Sequence, residues 1–436
     1  MQLYIAVRAI KGRKSAIMAA GHRYDCQMPI EPQGPQGAEA LQGWKYFRRL
    51  MPLLARLHDA NCARDKAGNR RLHFDQYCSL ILLALFNPLS RSLRALSQAS
   101  QLKKVQEQLG VKRVSLGALS EAARVFDPDL MVPLLAELAG ELRPHATDPR
   151  FKAIRHILTA VDSTLVKTLP SLTQAMYSRT KNGESRYYWR LHTHFHIDRH
   201  IPVRIDATDP AGRDHSDEKD VLRQHLQADH CYVMDRWFAE FRLFNDIADA
   251  QSSYVCRIRD NSNFEVVDER PVSEAAQQAG VLRDAVVRLG MGSKPAARPH
   301  HKVRLVVVDV QPHEKRGGRK GKTAGPASNG QLLIATNLLE VPAEIIALIY
   351  QHRWAIEIFF RFFKHVLGCQ HLLSATPDGI AIQAYCALIA CMLINLWTEH
   401  KPTLRTYEML VWHFLGWASD EELLAHLATL KKHTDR

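Results

Sequence analysis

Tyr350, Arg353, Glu357 and Lys364 follow one another at spacings of three, four and seven residues in the run ALIYQHRWAIEIFFRFFKHVLG. On a helix turning ~100° per residue they fall within an arc of about 60°. Ile349, Ile356, Phe359, Phe360, Phe363 and Leu367 take the adjoining side, giving an apolar stripe for a core and a polar ridge for a cleft. The plain alternative is an ordinary Arg353–Glu357 pair on a wet helix face, which leaves Tyr350 and Lys364 unexplained. Two more carboxylates close short apolar runs, Asp162 at the end of IRHILTAVD and Asp235 at the end of CYVMD. A single strand-end Asp is more often a turn residue, but strand ends are also where an open sheet collects ligands. With Glu357 they could hold two Mg²⁺ ions roughly 3.5–4 Å apart, an arrangement that hydrolyses phosphodiesters at neutral pH.

The elements that must position these groups are legible as changes of period. Residues 1–40 have no clear period and end in the Pro/Gly run EPQGPQG, which reads as a leader that can be disordered. Residues 41–150 read as helical, with RRLMPLLARLHDA, FDQYCSLILLALF and DLMVPLLAELAGEL repeating apolar residues at helical steps. Arg48, Arg49, Arg56, Arg64, Lys66, Arg70 and Arg71 make this segment a candidate DNA-binding head or a bundle with a solvated basic face. From Phe151 the order is strand, strand, strand, helix, strand, helix, strand, which is that of a ribonuclease-H-like α/β fold. The helix SDEKDVLRQHL is expected to carry a Ser cap. That catalytic domain spans 151–260 and 336–400, around a β-rich insertion at 261–335 containing FEVVD, DAVVRLG, HKVRLVVVDV and QLLIATN. One long helix is expected from Pro342 through the Tyr/Arg/Glu/Lys ridge, and C-terminal helices occupy 401–436.

Composition bounds the partners. With 58 Lys and Arg against 45 Asp and Glu the chain carries +13, a surplus that suits a polyanion. Lys315, Arg316, Arg319, Lys320 and Lys322 place five positive charges in eight residues, for contact with a phosphate backbone or as a solvated loop. The eight cysteines show no C-x-x-C pair, which argues against a zinc ribbon or disulfide framework and for a reducing cytoplasm. The apolar run from Gly379 to Trp397 holds Gln383 and Asn395 and reads as a buried helix rather than a membrane span.

The pattern Y-x2-R-x3-E-x6-K resembles the signature of the insertion-sequence-four family of bacterial DDE transposases, relatives of the transposon-five and transposon-ten enzymes. VDST around Asp162, Asp235-Arg236 and a β-strand insertion before Glu357 are similar to that family too, and the likeness spans roughly residues 40–400. The resemblance implies that Asp162, Asp235 and Glu357 bind two Mg²⁺, with Mn²⁺ as a substitute. It also implies that Tyr350, Arg353 and Lys364 hold terminal phosphates. Partners would be double-stranded DNA, as transposon ends and target, with a homodimer in the complex and no membrane. Such enzymes cut at terminal inverted repeats, often through a hairpin, and join the freed 3′ end to a target. Trp354 could stack on an unpaired base or fill a core. Two departures stand out: Trp237 replaces the usual Gly after Asp235-Arg236, and the insertion has no Trp to hold a flipped base. Two other readings compete. His192, His194 and His196 share a strand face like a zinc-ligand ladder, and a transposase-derived DNA-binding protein could have lost cleavage.

Overall fold

The computed structural model describes residues 44–60, 70–87, 92–142, 148–168, 176–179, 185–208, 217–292, 294, 297–309, 330–366, 373–374, 376–414 and 417–434. The leader and the basic run from Lys315 to Lys322 lie outside these residues. The chain divides into two compact units, one comprising Met1–His145, Val166–Leu172 and Arg361–Arg436, the other Ala146–Leu165 and Thr173–Phe360.

The first unit is helical. It contains α1 (Trp44–Ala55), α2 (Phe74–Phe86), α3 (Leu93–Ala99), α4 (Lys103–Leu109), α5 (Leu116–Val125) and α6 (Val132–Glu141). Ser92 and Ser115 cap α3 and α5 by accepting from Ala95 and Ala118 amides at 3.1 Å each.

The second unit is a mixed sheet with helices. Its elements begin with β1 (Ile157–Thr168), β2 (Met176–Arg179), β3 (Ser185–His196), β4 (Ile201–Thr208), α7 (Glu218–Gln224), β5 (His230–Met234), α8 (Phe241–Asp249) and β6 (Ser253–Arg257). They continue with β7 (Phe264–Arg270), α9 (Glu274–Gln278), β8 (Val281–Leu289), β9 (Val303–Asp309), β10 (Gln331–Thr336), α10 (Ala343–His352) and α11 (Trp354–Val366). The strand order is β2-β3-β1-β5-β6-β10-β9-β8-β7, with β4 also paired to β3. The β1–β5 and β5–β6 pairs are parallel, and β3–β4 is antiparallel. The four strand runs read between 261 and 335 extend this one sheet, because β10 pairs antiparallel with β6. One core, including Val161, Tyr232, Met234, Phe244, Tyr254 and Leu305, packs α8 on a sheet face, with Phe244 and Tyr254 stacked at 4.3 Å.

Three expectations need correcting. The single late helix is two, because Arg353 breaks it. The Arg353 amide reaches back to Tyr350 O at 3.1 Å and the Ile356 amide to Arg353 O at 3.2 Å, three-residue bonds where a helix uses four. Strand β1 does not stop at Asp162 but continues to Thr168, with Thr164 and Val166 buried. Helix α7 is capped by Asp217, whose Oδ1 accepts from Lys219 and Asp220 amides at 2.9 and 2.8 Å.

The remaining helices, α12 (Pro377–Thr398), α13 (Leu404–Phe414) and α14 (Asp420–Thr434), belong to the first unit. Helix α12 is long and apolar enough to cross a membrane, yet 94% of its most apolar window is buried. It packs on α2, α5 and α6. Its buried Gln383 is satisfied, with Oε1 accepting from Leu373 N at 2.8 Å, so it serves as a core helix. The close approach explains Gly379, since a Cβ there would lie 2.1 Å from Ser374 Oγ and 2.7 Å from Ala123 Cβ.

Candidate active site

Parallel pairing of β1 with β5 runs from Ile157–His230 to Ala160–Val233. Two residues beyond that last pair stand Asp162 on β1 and Asp235 just after β5, level with each other on neighbouring strands. Strand alternation sends Val161 into the α8-side core and Asp162 to the opposite face. Ser163 returns to the first face and donates to Glu218 Oε1 on α7 at 2.5 Å. The backbone at Asp162 is thereby fixed from behind.

The third carboxylate arrives from the break between α10 and α11. Arg353 sits in the junction with only 13% of its side chain exposed. Its Nη1 lies 3.5 Å from Asp162 Oδ2 and its Nη2 donates to Glu357 Oε1 at 2.7 Å. The guanidinium therefore spans two carboxylates, which rules out a wet-surface i,i+4 pair. Its carbon also lies 5.9 Å from the centre of the Tyr350 ring.

Electrostatics tie Asp235 into the same cluster. Burial pushes the Asp162 carboxyl up to about 6, with repulsion from Asp235 and Glu357 adding to it. The Ser163 amide and Arg353 work in the other direction. Burial raises the Tyr350 hydroxyl as well, against a downward pull from Arg353 and Arg257. For Arg353, burial disfavours the charge, but Tyr350, Glu357 and Asp162 outweigh it and raise the pKa. The oxygens of Asp162, Asp235 and Glu357 are not all within 4.8 Å of one another; Arg353 stands between two of them. An all-oxygen donor set fits Mg²⁺ or Mn²⁺, and the guanidinium marks where these carboxylates already hold a cation.

Other residues of interest fall out as follows. Lys364 lies two turns beyond Glu357 on α11, half-buried, and burial lowers its pKa. Arg236 is exposed. Trp354 and Trp237 are 44% and 59% exposed, so neither fills a core. Lys219 Nζ stands 5.6 Å from the Trp237 ring centre. His192, His194 and His196 are not a metal cluster among the described residues. His192 and His194 are buried and His196 is partly buried, with the His194 and His196 rings packed 6.1 and 5.8 Å from those of Tyr232 and His230. Burial lowers the pKa values of His192, His194 and His196 to about 4, 3 and 3 respectively.

Two supports went unread in the sequence. Arg304 on β9 and Asp284 on β8 form a buried bidentate pair, both contacts at 2.7 Å. Arg304 also donates to the carbonyls of Leu338, Leu339 and Val341, fixing the chain that enters α10. A lone arginine inside HKVRLVVVDV was the available signal. The second support is Glu218, held by Ser163 and by Arg190 Nη1 at 3.0 Å, which nothing in its helical run distinguishes.

The family described as "Transposase DDE domain" matches residues 154–393, more than half of the chain and all three carboxylates. The chain belongs to the DDE transposases. This transposase is 25% identical over 266 residues to "Putative transposase y4zB" of Sinorhizobium fredii, covering 61% of this chain and 67% of the relative. It is 24% identical over 288 residues to "Probable transposase for insertion sequence element IS5377" of Geobacillus stearothermophilus, covering 66% of this chain and 68% of the relative. A cryo-EM piggyBac transposase synaptic complex with hairpin DNA aligns over 89% of this chain and 84% of its own at 11% identity. Its TM-score of 0.36 is too low to bear on the fold.

Proposed function

We propose that this transposase binds terminal inverted repeats of an insertion sequence, cleaves DNA at their ends and transfers the 3′ end to target DNA in the cytoplasm. The observation that carries the proposal is Arg353 held between Asp162 and Glu357, with Asp235 level with Asp162 on the neighbouring parallel strand. In this reading β4-β3-β1-β5-β6 is a ribonuclease-H-like core, β7 to β10 are an insertion, and residues 41–150 include a DNA-binding domain. Asp162, Asp235 and Glu357 would hold two Mg²⁺ or Mn²⁺ ions. When bound, the ions activate the attacking water or hydroxyl and neutralise charge at the leaving oxygen.

The chain's own residues orient the DNA. A phosphate entering the cluster meets the Arg353 fork, whose two nitrogens can leave their separate carboxylates and take two oxygens of one phosphate. Tyr350 offers a hydroxyl donor whose ionisation burial suppresses. Lys364, Arg236 and the run from Lys315 to Lys322 contribute charge along the backbone. Trp354 offers a stacking face. The match to the Tyr/Arg/Glu/Lys signature of the insertion-sequence-four family and a homodimer in the DNA complex belong to the same proposal.

The test is Mg²⁺-dependent nicking of labelled end DNA. Asp162→Ala, Asp235→Ala and Glu357→Ala are each expected to abolish cleavage while leaving binding to the terminal repeat largely intact. Cleavage that survives any one of them sinks the triad. Specific binding by a wild-type protein that never cuts would identify a DNA-binding derivative instead.

A further inference from the structure

His58 and Asp59 lie in the turn that follows α1, and His73 is the N-cap residue of α2. One ligand atom from each, a ring nitrogen of either histidine and a carboxylate oxygen of Asp59, lies within 4.8 Å of the other two. Neighbouring groups set the tautomer of both rings. His73 Nδ1 is 3.0 Å from the carbonyl oxygen of His58. A carbonyl can only accept, so Nδ1 carries the proton and Nε2 keeps its lone pair. His58 Nδ1 is 2.9 Å from Asp75 Oδ2, and an ionised carboxylate imposes the same tautomer. Giving one N–H to a carboxylate or carbonyl while presenting the other nitrogen is how metal-binding histidines are oriented. The second Asp75 oxygen, Oδ1, is buried without a hydrogen-bond partner. A cation in front of His58 would offset the negative charge behind it.

The geometry points to a site for a divalent transition metal at His58, Asp59 and His73. Imidazole nitrogens with a single carboxylate suit zinc, cobalt or nickel and do not suit Mg²⁺, which takes oxygen ligands. The two rings are stacked, with centroids 3.9 Å apart and planes 8° from parallel. Parallel rings aim their lone pairs side by side, so binding must tilt one ring until both nitrogens face one ion at ~2.0–2.1 Å. The ion would clip the end of α1 to the start of α2 and close the intervening chain, stabilising the helical unit. The site uses none of the residues around Arg353 and does not depend on the proposed DNA chemistry.

Cobalt(II) is a suitable probe, because its visible absorption reports nitrogen and oxygen ligation directly. Full-length protein stripped with a chelator should develop that absorption on titration with Co²⁺, gain melting temperature, and lose both on chelation. Asp59 is exposed, so Asp59→Asn should fold normally and bind about tenfold or more weakly. His58→Gln should act in the same direction, and Asp162→Asn, which can weaken only ions held by oxygen ligands at the other carboxylates, should keep the nitrogen-ligand absorption at its wild-type affinity. No absorption with wild-type protein, or unchanged binding in Asp59→Asn, overturns the proposal. Loss of binding in Asp162→Asn alone would place the ion at the other carboxylates and overturn it equally.

Discussion

Arg353 holds two roles at the residue scale that exclude each other in time. Without DNA it neutralises Asp162 and Glu357; with DNA, in the proposed function, it must face a phosphate. Arg353→Ala is therefore expected to cost about 1–3 kcal/mol, the range for stranding partly buried charged groups. Added Mg²⁺ should recover part of that loss by supplying the missing positive charge. Arg353→Lys should recover little, because one ammonium cannot span both carboxylates. Calorimetry with chelator and with Mg²⁺ checks this. A loss of only ~0.2–0.5 kcal/mol, the size of an exposed helix pair, would mean that Arg353 is not the internal cation. The residue types and spacing were readable in the chain, but the partner across the fold, Asp162, was not. Nothing local to Arg353 encodes a contact with a strand almost two hundred residues earlier.

At the scale of elements, β3 carries an unusual load. His192 and His194 are buried there and His196 is partly buried, and burial lowers their pKa values to about 4, 3 and 3. Unfolded, each would titrate near ~6.5. Between those values the unfolded chain binds more protons than the folded one, so acid favours unfolding. Stability should be unaffected by these groups well above pH 6.5 and fall as pH drops below it. The steepest slope is about 4 kcal/mol per pH unit for three histidines. Urea unfolding between pH 7 and pH 5 measures it, and His194→Gln should remove about a third of the slope. An unchanged slope in that variant would show that carboxylates elsewhere set the acid limit. The alternation along β3 was legible, yet it could suggest metal ligands as readily as packing. Burial on both faces decided between them.

For the whole molecule the relevant quantity is charge. The surplus of +13 should make binding to end DNA weaken steeply with salt as counterions are released. Neutralising Lys315, Arg316, Arg319, Lys320 and Lys322 together should reduce the slope of log K against log salt by up to about 4.5 if all five meet phosphates. Fluorescence anisotropy at several salt concentrations measures both slopes. Identical slopes would return the run to a solvated loop.

The sequence by itself determined the periods, the carboxylates that follow two apolar strand runs and the Tyr/Arg/Glu/Lys spacing. Each is a local matter of which side chains share a face, and the chain spells it out. It also supplied the four strands of the 261–335 region, whose β-branched runs need no partner to be recognised. The tertiary structure decided that those strands join the same sheet through β6 and β10. It decided that the late helix breaks at Arg353, where no proline or glycine marks a break. It made a buried arginine, Arg304, the anchor for the start of α10, and it put Arg353 between Asp162 and Glu357. Those outcomes depend on hydrogen bonds and charges meeting across long sequence separations, and a chain read residue by residue carries no record of which distant group will be there to meet them.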